Sequence, residues 1–171
     1  MSGLVFEKLK QSLEAADGLY HRLVLLVGET GSGKTAVLHA LAEALSVPVI
    51  NVNLELSTRL LELTVKRRIL ALPNLFDEIT NTGQPVIILD NLEILFGKDL
   101  QQDPLRLLQK VSRNRCVVAS WNSTATRERL VYAKPGHPEY RLYEMIDTLL
   151  VQMDGAATID PIQSMNEARQ T

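Results

Sequence analysis

The sequence predicts an α/β fold: a three-layer sandwich in which helices cover both faces of a mostly parallel, five-stranded sheet. Short apolar runs alternate with longer amphipathic segments, and glycine or proline commonly separates the two. The chain has 171 residues, of which 46% are hydrophobic and 22% charged, a composition typical of one globular domain. We therefore expect a single domain over residues 1–153 and a polar, flexible tail over residues 154–171.

The first half of the chain is predicted to hold three strands. An amphipathic helix is expected over residues 4–16, because apolar side chains recur there at spacings of three and four. Buried strands are expected over residues 22–27, 47–52 and 85–90. Helices are expected over residues 34–45, 58–71 and 74–80, the last two separated by Pro73, since proline removes a hydrogen bond from a helix interior.

The second half continues the alternation. Pro104 suits the first turn of a helix that should extend to about Ser112. A fourth strand is expected over residues 115–121. The remaining predicted elements are a short helix at 125–130, a fifth strand near 130–133, a structured loop at 134–141 and a helix at 142–153.

Residues 28–35 read GETGSGKT and match the phosphate-loop pattern GxxxxGK[ST] at every fixed position. A predicted strand precedes the loop and a predicted helix follows it, which is the context that this motif requires. Backbone N–H groups would converge on phosphate oxygens, helped by the helix dipole. Lys34 should reach the β- and γ-phosphates, and the Thr35 hydroxyl should bind Mg²⁺. The residues expected to bind the nucleotide are Gly28, Glu29, Thr30, Gly31, Ser32, Gly33, Lys34 and Thr35.

The loop predicts a P-loop NTPase core with ATP and Mg²⁺ as cofactors. ATP is favoured over GTP because the sequence has no N/TKxD-type motif that selects GTP. Asp90, at the end of an apolar strand, is the expected second Mg²⁺ anchor, the alternative being a helix N-cap.

Hydrolysis also requires a group that polarises the attacking water. Many P-loop ATPases place a glutamate directly after the metal-binding aspartate, but Asn91 stands there, and its amide cannot accept the proton. Glu93 is the candidate base, although it could equally be the partner in a capping box. We therefore expect weak or partner-stimulated hydrolysis.

The tip of the fourth strand should carry a polar residue that senses the γ-phosphate. Asn122 is the first candidate for this sensor position. Ser120 is the second, because strand alternation gives both side chains the same facing. A plain polar loop residue is the remaining interpretation.

Charge is uneven along the chain, although the net charge of −2 indicates neither a nucleic-acid nor a membrane partner. Residues 105–141 contain eight lysines and arginines against two acids. Arg127 or Arg129 could act as an arginine finger on a neighbouring subunit's γ-phosphate. The segment could instead contact DNA phosphates, or form a solvated face that pairs with the acidic tail.

Several features favour the cytoplasm as the compartment. A single cysteine, Cys116, cannot form an internal disulfide, and no apolar run approaches the ~20 residues that span a bilayer. The N-terminus does not have the pattern of a signal peptide. His21, His39 and His137 show no metal-ligand spacing.

The order of phosphate loop, acid-tipped strand, Asn-tipped strand and arginines over residues 20–133 resembles the additional-strand P-loop ATPases, including the AAA+ class. AAA+ proteins usually append a helical lid with a sensor-2 arginine. Only about forty residues follow here, so we expect a rudimentary lid or none.

The segments GETGSGKT, LALP, PVIILDNLEILF and YAKPGHPEYRLY resemble the BrxF-like family, small stand-alone P-loop proteins of type 3 bacteriophage exclusion (BREX) systems. This resemblance covers nearly the whole chain. It implies a cytoplasmic bacterial protein that acts in phage defence beside other BREX proteins and DNA-modifying partners.

Three functions remain open. The first is an ATP-binding, slowly hydrolysing module that acts as a switch or assembly factor and forms a homo-oligomer. The second is a small-molecule kinase, for which no acceptor-binding motif is evident. The third is a nucleic-acid-binding module that needs no hydrolysis.

Overall fold

The computed structural model describes residues 2–123, 129–133, 136–144 and 148–154. Its helices are α1 (Ser2–Ala16), α2 (Lys34–Leu45), α3 (Val52–Leu60), α4 (Val65–Thr80) and α5 (Pro104–Val111), with 3₁₀ turns at Glu93–Phe96 and Lys98–Leu100. Its strands are β1 (Leu23–Gly28), β2 (Val49–Asn51), β3 (Val86–Asp90), β4 (Cys116–Asn122), β5 (Arg129–Tyr132), β6 (Arg141–Glu144) and β7 (Leu149–Gln152).

Five of the strands form one parallel sheet in the order β2-β3-β4-β1-β7. This confirms the predicted fold class. Strand β4 lies between β1 and β3, so one strand separates the phosphate loop from Asp90. The carboxyl ends of parallel strands meet at one edge of a sheet, and Gly28 pairs with Asn122 at that edge. The fold therefore brings the predicted site residues of three strands together.

Helices cover both faces of the sheet. Leu23, Leu25 and Val27 of β1 pack in a core with residues of α3, α4 and α5. The alternate residues Val24 and Leu26 pack with α1 and α2. A strand buried on both faces requires a continuous apolar run, which is why β1 could be predicted from its sequence.

Helix α4 is continuous through Pro73, so the predicted break at this residue is wrong. Proline has no N–H to donate to the carbonyl four residues earlier, which is that of Ile69. The Gln102 side chain supplies the missing donor, since its Nε2 lies 3.1 Å from the Ile69 oxygen. A side chain from elsewhere in the chain thus satisfies the carbonyl that the proline cannot.

The predicted helix over residues 58–71 is also wrong, because two helices occupy this region. Helix α3 starts at Val52, where Asn51 caps it by accepting a 3.0 Å hydrogen bond from the Leu54 N–H. Helix α4 starts after Thr64, whose hydroxyl accepts from the Arg67 N–H. Both caps use side chains suited to that position, and sequence periodicity did not reveal them.

The predicted helix over residues 142–153 is wrong as well. Its described part forms β6 and β7 (Leu149–Gln152), and β7 completes the main sheet by pairing Val24 with Leu149. Three consecutive apolar residues of β7 are fully buried, and such a short apolar run fits a buried strand as well as a helix, so pairing with β1 decides its conformation.

A strand near 130–133 is present as β5, but it pairs antiparallel with β6 in a separate ribbon and does not join the main sheet. The predicted helix at 125–130 falls mostly outside the described residues, and its last two residues belong to β5. Arg141, predicted as the end of a loop, already lies in β6. The predicted tail lies outside the described residues except for Asp154. Within the described ranges, no helix has the length and apolar character needed to cross a membrane.

Candidate nucleotide-binding site

The phosphate loop joins β1 to α2 and needs glycine at three positions. Gly31 and Gly33 have φ angles of 82° and 98°, which side chains with a Cβ rarely adopt. At Gly28 the requirement is space, because an added Cβ would lie 2.5 Å from Ser32 Oγ and 2.8 Å from Met153 Cγ. Glycine is therefore required at Gly31 and Gly33 by the backbone φ angle, and at Gly28 by close packing.

Lys34 is a buried cation at the first position of α2, with 6% of its surface exposed. Its Nζ donates to the carbonyl oxygens of Gly28 at 2.7 Å and Glu29 at 2.8 Å. No carboxylate of the described residues lies within 4.0 Å of it. Burial lowers the pKa of this ammonium, while Asp90 and Glu93 act in the opposite direction. A buried ammonium held by neutral oxygens fits an anionic phosphate as its partner.

Thr35 and Asp90 meet across the sheet edge, where the threonine Oγ1 donates to the aspartate Oδ2 at 2.7 Å. The other oxygen of Asp90 accepts from Ser120 Oγ at 2.7 Å, and Asp90 is only 5% exposed. A hydroxyl and a carboxylate are hard oxygen ligands of the kind that Mg²⁺ prefers. The residues present therefore fit a magnesium ion bound together with a phosphate group.

Asn122 and Ser120 contact different acids at the tip of β4. Asn122 Nδ2 donates to Glu93 Oε1 at 2.6 Å, whereas Ser120 holds Asp90. Both side chains lie on the same side of the strand, as alternation requires. Asn122 thus stands against the candidate base, and Ser120 orients the candidate metal ligand.

Asn91 turns the chain between Asp90 and Glu93, with a φ of 55° that asparagine tolerates better than most residues. Its carbonyl oxygen accepts from the Asn53 N–H at 2.9 Å. This turn brings Glu93 back towards β4. The helix N-cap alternative for Asp90 is wrong, because its carboxylate bonds to Thr35 and Ser120 instead.

Residues 24–124 match the family described as "ATPase family associated with various cellular activities (AAA)". The chain belongs to this family. The segment matched runs from β1 to just past Asn122, and so includes the phosphate loop and both strand tips.

Three solved structures show similarity to the AAA domain. They are AMPPCP-bound DnaA from Aquifex aeolicus (22% identity, TM-score 0.41), a DNA replication initiation factor (20%, 0.42) and PCH-2 from C. elegans (19%, 0.37). The matches cover 69%, 68% and 73% of this chain respectively. They cover only 37%, 36% and 37% of those chains, so the chain spans well under half of their length. A search of curated proteins gave no match.

The predicted arginine fingers are not both described. Arg127 lies outside the described residues, and Arg129 begins β5 at a position for which only the backbone is described. Other cations of the 105–141 segment have local partners: Arg115 donates to Asp77 and Thr80, and Arg141 donates to the Gln102 carbonyl. The segment is therefore not one continuous basic surface.

A cavity of about 800 Å³ opens beside the phosphate loop of the AAA domain. Its lining includes Glu29 and Thr30 of the phosphate loop, the Glu93–Asn122 pair, and Val131 and Tyr132 of β5. His137 and Glu139, which the sequence analysis treated as ordinary loop residues, also line it. The ribbon is anchored by a 3.0 Å hydrogen bond from Trp121 Nε1 to the Val131 carbonyl oxygen.

Met153 also contacts the phosphate loop, and the sequence analysis does not predict this contact. Its backbone N–H donates to the Val27 carbonyl oxygen at 2.9 Å, and its side chain packs against Gly28 and Gly33. Only the pairing of β7 with β1 brings this residue to the loop. The sequence gives no signal for this contact, because the helix predicted over residues 142–153 would not place Met153 in the main sheet.

Proposed function

We propose that this AAA domain binds ATP with Mg²⁺, hydrolyses it slowly, and acts as a nucleotide-dependent switch or assembly factor. The observation that carries the proposal is the 2.7 Å contact between Thr35 and Asp90 at the mouth of the phosphate loop. These two side chains are 55 residues apart in sequence, yet the fold makes them neighbours beside the buried Lys34 ammonium. A glycine-rich turn that matched the motif by chance would not be expected to have a threonine in hydrogen-bond contact with an aspartate at the end of a neighbouring strand.

Each residue has one role in this proposal. Lys34 would exchange its carbonyl partners for β- and γ-phosphate oxygens, and Thr35 and Asp90 would hold the Mg²⁺. The metal would supply positive charge that offsets the charge on the phosphates. Ser120 keeps the Asp90 carboxylate oriented. Glu93 would take the proton of the attacking water, and Asn122 would position the Glu93 carboxylate.

Slow turnover follows from the Glu93–Asn122 contact. The Oε1 of Glu93 is already engaged by the Asn122 amide at 2.6 Å, and Asn91 fills the place where many P-loop ATPases carry the glutamate. The Asn122 amide therefore competes with the attacking water for this oxygen, and its exchange for water would favour proton transfer to Glu93. A partner protein, or an arginine from a neighbouring subunit (Arg127 or Arg129), would accelerate that exchange.

Lys34→Ala tests the site directly. We expect it to abolish ATP binding measured by isothermal titration calorimetry, because it removes the cation that faces the phosphates. Thermal unfolding should stay cooperative, since the ammonium contributes no apolar packing. Lys98→Ala, an exposed lysine outside the loop, is the matched control and should bind ATP like the parent chain. Unchanged affinity in Lys34→Ala would reject the nucleotide site.

We further propose that the domain serves a bacterial phage-defence system of the BREX type, with other proteins of that system as partners. Three of the four sequence segments that carry this resemblance meet at one place, because Glu93 and Glu139 line the same cavity as Glu29 of the phosphate loop. Plating of phage on a host with the complete system tests this. Lys34→Ala should remove protection, and full protection by that variant would contradict the role.

A small-molecule kinase is the second candidate, favoured by the 800 Å³ cavity beside the expected γ-phosphate position. Cavities of this size hold small organic ligands. ADP release in the presence of single nucleosides or sugars separates the two functions. Stimulation by one such compound, with its phosphorylated product, would favour the kinase. Turnover that no acceptor changes would favour the switch.

A further inference from the structure

A groove with three cationic side chains in its lining runs along α5 and is distinct from the nucleotide site. It has a volume of about 490 Å³, and Arg106, Lys110 and Arg113 line it together with Tyr20 and His21. An α-helix rises 1.5 Å per residue, so Arg106 and Lys110 stand about 6 Å apart along the axis. Arg113 extends the row just past the end of the helix. The groove therefore presents three cations over a length of about 10 Å.

These cations are not occupied by carboxylates of their own chain. Among the residues that the structure describes, none of the three lies within 4.0 Å of a carboxylate. Asp103 also lines the groove, but its Oδ1 accepts from the Tyr143 hydroxyl at 2.8 Å and from the Arg106 backbone N–H at 3.3 Å. That carboxylate caps α5 and anchors the ribbon, which leaves the row of cations open to an external anion.

An aromatic platform adjoins the cations. The Arg113 guanidinium lies over one face of the Tyr20 ring, 4.5 Å from its centroid, and Tyr20 is still 67% exposed, so a base would stack on the part of the ring that Arg113 leaves uncovered. The His21 ring packs edge-on against the same tyrosine, with centroids 4.8 Å apart. A cationic groove beside an exposed aromatic face is the combination that binds single-stranded nucleic acid, since phosphates pair with the cations and bases stack on the ring.

The groove reaches the edge of the sheet opposite the phosphate loop. The Arg22 N–H donates to the Ser112 carbonyl oxygen at 2.8 Å, and the Val117 N–H donates to the Arg22 carbonyl oxygen at 2.8 Å. These bonds hold Tyr20 and Arg113 at the amino ends of β1 and β4, whereas the loop lies at the carboxyl ends. Changes in the groove should therefore leave nucleotide binding intact.

We propose that the α5 groove binds single-stranded nucleic acid, with phosphates on Arg106, Lys110 and Arg113 and a base stacked on Tyr20. An acidic peptide would satisfy the same three cations but would leave the tyrosine face without a role. The exposed ring therefore favours the nucleic acid. This inference does not depend on ATP binding, and its test can fail while the proposed function stands.

Fluorescence anisotropy with a labelled 20-nucleotide oligothymidylate and the full chain is the test, at 50 and 200 mM salt. Three phosphate contacts predict a slope of log affinity against log salt near −2, on the basis of about −0.7 per contact for a single strand. The double variant Arg106→Glu/Lys110→Glu should weaken binding at least tenfold and bring the slope towards zero. The matched control Lys98→Glu changes an exposed charge outside the groove and should bind within twofold of the parent.

Tyr20→Leu separates stacking from charge. It should weaken binding about fivefold or more without changing the salt slope, because stacking releases no counterions. Tyr20→Phe should restore the affinity. Cooperative thermal unfolding of the same variants at the temperature of the parent chain verifies that they remain folded, whether or not the chain binds ATP.

Several results would overturn the proposal. One is no binding of the oligothymidylate at 50 mM salt. Others are an equal loss in Lys98→Glu and the groove variant, or tighter binding of a 20-base-pair duplex than of the single strand. Salt-dependent binding of a labelled polyglutamate peptide through the same cations, without binding of the oligonucleotide, would assign the groove to an acidic protein instead.

Discussion

Glu93 and Asn122 are the residues on which turnover should depend. If Glu93 takes the proton from water, Glu93→Gln should lower kcat by about 10²- to 10⁴-fold, the range for loss of a general base. ATP affinity should change less than twofold, because Glu93 is not part of the phosphate loop. Phosphate release under saturating ATP is the measurement. Glu139→Gln, which alters another carboxylate of the same cavity, is the matched control, and equal turnover in all three proteins would assign the base elsewhere.

Cys116 gives a pH-dependent prediction at the same scale. Burial raises the pKa of its thiol from 9.0 to about 11, chiefly because the thiolate would lose hydration. The unfolded chain thus releases the proton more readily than the folded one. The contribution of this thiol to stability should be complete below pH 9 and decline as pH rises towards 11. Urea unfolding of the parent chain and of Cys116→Ala should show a steeper decline with pH in the parent, and parallel curves would contradict this.

The loop residues Gly28, Lys34 and Thr35 could be predicted because the phosphate motif is short and each position has a fixed task. Asp90 followed from its place after an apolar strand. The contribution of Met153 could not be predicted, since it depends on which strand pairs with β1. The turn at Asn91 could not be predicted either. The sequence shows that asparagine stands where many P-loop ATPases have glutamate, but it does not show that this residue adopts a left-handed backbone conformation.

Helix α4 shows how one element depends on a side chain from another segment. Gln102→Leu removes the donor to the Ile69 carbonyl oxygen. We expect a loss of about 1–3 kcal/mol in the free energy of unfolding, the cost of an unsatisfied buried polar group. Urea unfolding measures this change.

Pro73→Ala supplies an N–H at the missing position of the helix. In the Gln102→Leu background it should recover part of the lost stability, because the Ile69 carbonyl oxygen regains an internal partner. In the parent background the gain should be smaller, since Gln102 already satisfies that oxygen. Equal effects of Pro73→Ala in both backgrounds would show that the two sites are not coupled.

Strands β1 and β3 could be predicted because each is a continuous apolar run bounded by turn residues. The prediction of a buried strand over residues 47–52 is wrong in extent and burial: β2 covers only Val49–Asn51 and is partly exposed, because Pro48 and Asn51 interrupt the apolar run and Val52 begins α3. Strand β7 could not be predicted, because Leu149, Leu150 and Val151 fit a buried strand or a helix equally well. Pairing with β1 decides between the two conformations, because these residues pair with the edge of β1 that faces away from β4. Likewise, the β5–β6 ribbon depends on the anchor between Trp121 and Val131, which no local pattern reveals.

At the scale of the whole molecule, the proposed switch predicts a change in assembly. Light scattering should give a mass near 19.1 kDa without nucleotide and a multiple of it with ATP and Mg²⁺. The reason is that a neighbouring subunit would complete the γ-phosphate site with an arginine. Lys34→Ala should remain at the smaller mass in both conditions. A monomer in every condition would favour the kinase.

The strand order also has a consequence for how the chain acquires its fold during synthesis. Strand β1 pairs with its two neighbours only late, since Leu23 pairs with Val117 and Val24 with Leu149. Until the ribosome has released residue 152, one edge of this apolar strand has no partner. Nascent chains stalled before that point should therefore be the species that chaperones hold and that proteases or aggregation remove first.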